Sequence, residues 1–237
     1  MPIGDTIFQL IDAATDDELA QLCQALRIEP SGDRGVDRTN ISREYRSAAG
    51  NSFANIFRDD HVLPYKRILI DVADKLKPGS GWTTHKLDDP ASEEDVESSI
   101  NHFVMERFDA QLKKLSPAER RLKAEELKLE LKRQGIPTAV RTSIAGSIAA
   151  GTVGALGANA AVMSIFYSGL LYSLWASLFG PSTILLIASG AGLGLLTMLP
   201  FAASVLATPA YRKTIPCTLQ LIRIRYRLRA EAELNSD

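Results

Sequence analysis

The chain has 237 residues, carries 27 Lys and Arg against 28 Asp and Glu for a formal net charge of −1, and is 46% hydrophobic. That length allows one large or two modest domains, and the balanced charge gives no overall pull toward nucleic acid. Cys23 and Cys217 are the only cysteines, which excludes a disulfide framework and fits reduced thiols in a cytosolic compartment.

The acids Asp5, Asp12, Asp16, Asp17 and Glu18 break any apolar run at the start, so no signal peptide is expected. Asp5 to Ala14 reads as a short helix with Ile7, Phe8, Leu10 and Ile11 apolar. Thr15-Asp-Asp-Glu18 has the form of a capping box and opens a second helix with Leu19, Leu22, Cys23 and Leu26 inward. Pro30 to Gly35 reads as a loop. A helix over Thr39 to Arg58, interrupted near Gly50-Asn51, follows it. Pro64 stands where a helix begins, and Tyr65, Ile68, Leu69, Val72 and Leu76 recur at helical spacing. Residues 1–77 form one helical region, and 78–91, with two prolines and two glycines, is a linker.

Residues 92–141 read as amphipathic helices with a basic flank. Ser92-Glu-Glu-Asp95 opens the first, with Ile100, Phe103, Val104, Phe108, Leu112 and Leu115 inward. Ser116-Pro-Ala-Glu119 restarts the helix, and Leu122, Leu127, Leu129 and Leu131 continue its apolar content to Gly135 and Pro137. No segment alternates with period two, so the predicted fold class is all-α: a helical bundle head, then a glycine-rich apolar hairpin, then a basic C-terminal helix.

From Thr142 to Tyr211, 70 residues contain no Lys, Arg, Asp, Glu or His. About 18 consecutive apolar residues already suffice to propose a membrane span. Gly146, Ala150, Gly154 and Ala158 fall four apart, the small-residue spacing by which helices associate in lipid. Val162 to Phe179 carries Phe166, Tyr167, Tyr172, Trp175 and Phe179, with Trp175 and Phe179 near one end as an aromatic belt would be. Gly180-Pro181 marks a turn, and a third apolar piece bends at Pro200. Residues 162–207 therefore read as a transmembrane hairpin, the alternative being a hairpin hidden in a soluble bundle and released conditionally. Basic residues on both flanks place both termini in the cytoplasm, at the inner membrane.

Residues 212–237 form a basic amphipathic helix, starting at Ile215 with Pro216 in its first turn and Ile215, Leu219, Ile222 and Tyr226 on one face. Arg212, Lys213, Arg223, Arg225, Arg227 and Arg229 have two readings. In one they meet anionic lipid headgroups, at roughly 1 kcal/mol per basic residue. In the other the helix packs on the head, whose acids pair with them. No recognition module accompanies these charges, so no nucleic acid partner is expected.

Chemistry is sparse. There is no HExxH, no Cys/His cluster, no phosphate loop and no nucleophile elbow, so no catalytic site, cofactor or metal is expected. The densest polar group surrounds Asn51, Asn55 and Arg58, with Tyr65 and Asp71 on the next helix. It is a candidate partner site, or a set of helix caps and charge pairs within the bundle.

The run Ala49-Gly-Asn-Ser-Phe-Ala-Asn-Ile-Phe-Arg58, then Tyr65-Lys-Arg-Ile-Leu-Ile-Asp-Val-Ala-Asp-Lys-Leu-Lys77, resembles the YaaW-like family of bacterial proteins. Thr15 to Leu26 resembles that family's N-terminal helix, and Ala210 to Gln220 resembles the segment after its glycine-rich region. The family is grouped by name with ubiquinol–cytochrome c chaperones, so the resemblance implies a partner-binding or assembly role and no enzyme activity. This chain's apolar insert is longer and more aromatic than the family's. The expected function is thus a non-enzymatic membrane-associated protein with a protein partner and a capacity to form homo-oligomers. The alternative is a pore-forming toxin or effector that inserts residues 162–207.

Overall fold

A computed structural model describes residues 5–50, 63–77, 90–133, 136–152 and 209–234. The fold is all-α, with no strand among the described residues. In chain order the helices are α1 (Thr6–Asp12), α2 (Asp16–Leu26), α3 (Arg34–Gly50), α4 (Tyr65–Leu76), α5 (Glu93–Leu112), α6 (Pro117–Arg133), α7 (Thr138–Ala150) and α8 (Pro209–Leu234).

Local chemistry sets most helix starts. The Asp5 carboxylate accepts from Ile7 N at 3.1 Å and opens α1. Thr15 and Glu18 form the reciprocal capping box of α2: Thr15 N donates to Glu18 Oε2 at 2.8 Å and Glu18 N donates to Thr15 Oγ1 at 3.3 Å. The same exchange joins Ser116 and Glu119 before α6, at 2.7 and 3.3 Å. Ser92 and Asp95 repeat it before α5, at 2.7 and 3.2 Å. Pro64 precedes the first turn of α4, whose predicted stripe of Tyr65, Ile68, Leu69, Val72 and Leu76 is buried throughout.

Helix α3 begins five residues before the predicted Thr39. The Asp33 carboxylate accepts from Gly35 N at 2.8 Å and Val36 N at 3.0 Å, and so caps a helix whose first turn contains the glycine read as loop. The larger correction concerns α8. It starts at Pro209, not Ile215, so Pro216 lies inside the helix rather than in its first turn. It is also central: it packs on α1, α2, α3 and α4 and exchanges ion pairs with α5. Cys217, Leu221, Ile222 and Ile224 are fully buried, as are the flanking Thr214, Thr218 and Gln220. A helix buried on more than one face over 214–224 belongs to a core, not to a tail. Its buried hydroxyl is satisfied at home, since Thr218 Oγ1 donates to the Thr214 carbonyl at 2.8 Å.

Helices α6 and α7 pack on each other as an antiparallel pair, the start of α6 meeting the end of α7. Leu127 and Leu131 of α6 face Ile144, Ala145 and Ile148 of α7 in the common core. Leu122 and Leu129, expected to join them, lie 60% and 58% exposed. They sit on the opposite side of α6, one heptad apart. Residues 142–150, the first part of the charge-free stretch, thus belong to a helix that packs on α6. Gly151, at φ +81°, closes α7, and Thr152 N reaches back to the Ser147 carbonyl at 3.0 Å.

The expectation of a transmembrane helix is corrected. Among the described residues no helix is long and apolar enough to cross a membrane. Helices α5, α6 and α8 are long but carry charges along their length. Helix α7, at 13 residues, reaches about 20 Å against a hydrocarbon core of about 30 Å. The hairpin expected at 162–207, with Phe166, Tyr167, Tyr172, Trp175, Phe179, Gly180, Pro181 and Pro200, lies outside the described residues.

Candidate functional site

The densest polar chemistry of the fold lies where α3, α4 and α5 meet α8. Glu97 of α5 is 3% exposed. Its Oε2 is 3.3 Å from Arg225 Nε of α8. Arg225 also pairs with Glu93 at 3.4 Å and Glu94 at 3.6 Å, and Arg229 reaches Glu94 at 2.5 Å. The ring of Tyr65, from α4, lies 5.8 Å from the Arg225 guanidinium, within reach of a cation–π contact. Tyr65 Oη lies against the Glu97 carboxyl, close enough to interact electrostatically. Yet neither Tyr65 Oη nor Glu97 Oε1 meets a hydrogen-bond partner in good geometry among the described residues. One turn further, Asn101 Nδ2 donates to Tyr226 Oη of α8 at 2.5 Å. From α3, Tyr45 Oη shares a hydrogen bond of 2.7 Å with Thr218 Oγ1.

Burial governs the protonation of this cluster. It pushes the Glu97 carboxyl up to about 7, against the pull of Arg225 in the other direction. It pushes the hydroxyls of Tyr45 and Tyr65 well above their ordinary range, so both keep their protons. A carboxyl poised near neutrality is suited to carry a proton. Here it sits in the core between helices. Among the described residues, no group of three or more His, Cys, Asp or Glu is placed to hold a metal ion, and Cys23 and Cys217 are buried free thiols.

A second set of ties fixes the far side of α8. Arg227 grips Glu18 through two contacts of 3.0 Å and the Ala13 carbonyl at 2.7 Å. Glu18 is 2% exposed and simultaneously closes the α2 capping box. Lys213 pairs with Glu44 of α3 at 2.6 Å, and Arg223 bonds to Gln21 of α2 at 2.5 Å. The arginines of α8 therefore follow the second of the two sequence readings: Arg223, Arg225, Arg227 and Arg229 are engaged within the fold. The side chain of Arg212 lies outside the described residues.

Of the candidate partner site, Asn51, Asn55 and Arg58 lie outside the described residues. Tyr65 is 2% exposed and belongs to the core cluster instead of an accessible surface. Asp71 is half-buried and pairs with Arg67 one turn back at 3.3 Å. Of the small-residue ridge, Gly146 and Ala150 face solvent on α7, and a Cβ at Gly146 would meet nothing within 4 Å. Gly154 and Ala158 lie outside the described residues.

Sequence reasoning passed over Glu97. The signal was present: with Ile100 and Val104 three and seven residues on, Glu97 falls on the apolar face of its helix. No protein-family model, curated protein or solved structure matches the chain, so the resemblance to the YaaW-like family rests on the quoted residues alone.

Proposed function

We propose that this is a non-enzymatic helical protein whose body presents the charge-free stretch to membrane surfaces and to a protein partner, in a binding or assembly-assisting role. The observation that carries this reading is the 70-residue uncharged run itself, considered with what stands at its two borders. Helix α7 at one end and α8 at the other are seated in a body whose buried core is built from the described helices. Arg223, Arg225, Arg227 and Arg229 of α8 are occupied within that body, which leaves the uncharged run as the part of the chain suited to apolar surroundings. The resemblance to the YaaW-like family supports a partner-binding role over catalysis.

The test is flotation of the full-length chain with vesicles of phosphatidylethanolamine and phosphatidylglycerol. The native chain is expected to float with the vesicles, and a Leu171→Lys/Leu174→Lys variant to remain at the bottom. A native chain that does not float, or a double variant that floats equally well, contradicts the reading. Release of an entrapped dye on binding would replace it with the pore-forming alternative.

A further inference from the structure

The contact between α5 and α8 contains a device that the proposed function does not use. We propose that Glu97 is a proton-linked latch: α8 is held on α4 and α5 most tightly while Glu97 carries a proton, and loosens when Glu97 ionises.

The geometry is that of a carboxyl buried without enough partners for its charge. Glu97 is 3% exposed. Among the described residues, the ionisable groups that act on it come from four helices. Tyr65 approaches from α4 and Tyr45 from α3. Arg225, Tyr226 and Arg229 approach from α8, and Glu93 from its own helix. Arg225, the Tyr65 hydroxyl and Arg229 favour a charge on Glu97, but burial outweighs them, and neither arginine is its alone. Arg225 is shared with Glu93 and Glu94 at 3.4 and 3.6 Å, and Arg229 is engaged by Glu94 at 2.5 Å. An ionised Glu97 would thus be the third carboxylate around one guanidinium, and the only one of the three that is buried. Taking such a group out of water costs more than a shared ion pair returns. A protonated Glu97 leaves Arg225 to the two more exposed acids.

The direction of the pH effect follows. Burial raises the Glu97 carboxyl from the ordinary 4.5 to about 7 in the folded chain. The folded chain therefore keeps a proton that the unfolded chain releases between these two values. The stabilisation is complete below the unfolded value, and is lost as pH rises through the folded one. The latch works in the opposite sense to acid-triggered release: mildly acid conditions close it and alkaline ones loosen it.

The experiment is urea unfolding of the full-length chain and of Glu97→Gln, followed by helical circular dichroism at pH 5 and pH 8. Gln keeps the shape and the donor of a protonated Glu but cannot ionise. Between pH 5 and pH 8 the unfolding constant of the native chain is expected to rise, relative to the variant's, by roughly tenfold to a hundredfold, tenfold for each unit of separated titration. A ratio that stays constant, or a variant less stable than the native chain at pH 8, overturns the proposal. Should Glu97→Gln not fold, the carbon-13 titration of the Glu97 carboxyl in the native chain decides. A midpoint near neutrality supports the latch, and one in the ordinary carboxylate range overturns it.

Discussion

Helices α6 and α8 have similar ingredients, aliphatic residues interleaved with Lys and Arg, but opposite fates. Helix α6 supplies its own counter-charges. Lys123 pairs with Glu126 at 3.0 Å and Lys128 with Glu125 at 3.7 Å, each within one turn. It needs only one buried face, and leaves Leu122 and Leu129 in water. Helix α8 has no acid from Pro209 to Ala230. Arg227 pairs with Glu231 one turn on at 2.8 Å, but the helix's cations draw mostly on Glu18 of α2, Glu44 of α3 and Glu93, Glu94 and Glu97 of α5. A helix that balances its own charge can sit at the edge of a fold. One that cannot is drawn to wherever the opposite charge lies, and here that is the centre.

Three substitutions sharpen this contrast. The largest effect is expected for Glu18→Ala, which breaks the bidentate Arg227 contact and the α2 capping box at once. We expect a loss of about 2–4 kcal/mol in chemical unfolding, below the top of the range for breaking buried pairs because the Arg227 side chain is 21% exposed. An Arg227→Ala/Glu18→Ala cycle should show the two losses to be strongly non-additive. The intermediate effect is expected for Gly151→Ala. It places a side chain at φ +81°, with its Cβ 1.9 Å from Arg120 Nη1. That guanidinium now donates to the Ala150 carbonyl at 3.1 Å and must move. A loss of about 1–2 kcal/mol is expected, seen as a lower thermal midpoint. The smallest is Lys123→Ala, removing a one-turn pair on α6 at a cost below about 0.5 kcal/mol. A Lys123→Ala effect as large as that of Glu18→Ala would erase the distinction between the two helices.

Much of the fold was legible because it rests on short-range chemistry. The capping boxes at Thr15 and Ser116 and the stripe of α4 are local patterns with one structural answer. What escaped depends on partners distant in sequence. Nothing within α8 states that Arg227 meets Glu18, 209 residues away. Its apolar positions Cys217, Leu221 and Ile224 lie off the face of Ile215, Leu219 and Ile222, so reading one face hid a helix buried on more than one side. The site was missed for a related reason. Tyr65 had two readings, apolar stripe or partner site, Arg225 had two, lipid or the head's acids, and Glu97 was passed over. Only the packing of α4, α5 and α8 brings the three together. The start of α3 was missed because Gly35 reads as loop until the Asp33 cap is seen.

The claim that α8 is the centre of the body is tested most directly by native-state amide hydrogen exchange on the full-length chain. The account predicts that amides of residues 217–224 exchange as slowly as the most protected positions of α2 and α4, opening only with the whole body. It predicts faster exchange along the outer face of α6. If the 217–224 amides exchange quickly while α1 to α5 stay protected, α8 is a detachable tail and the account fails.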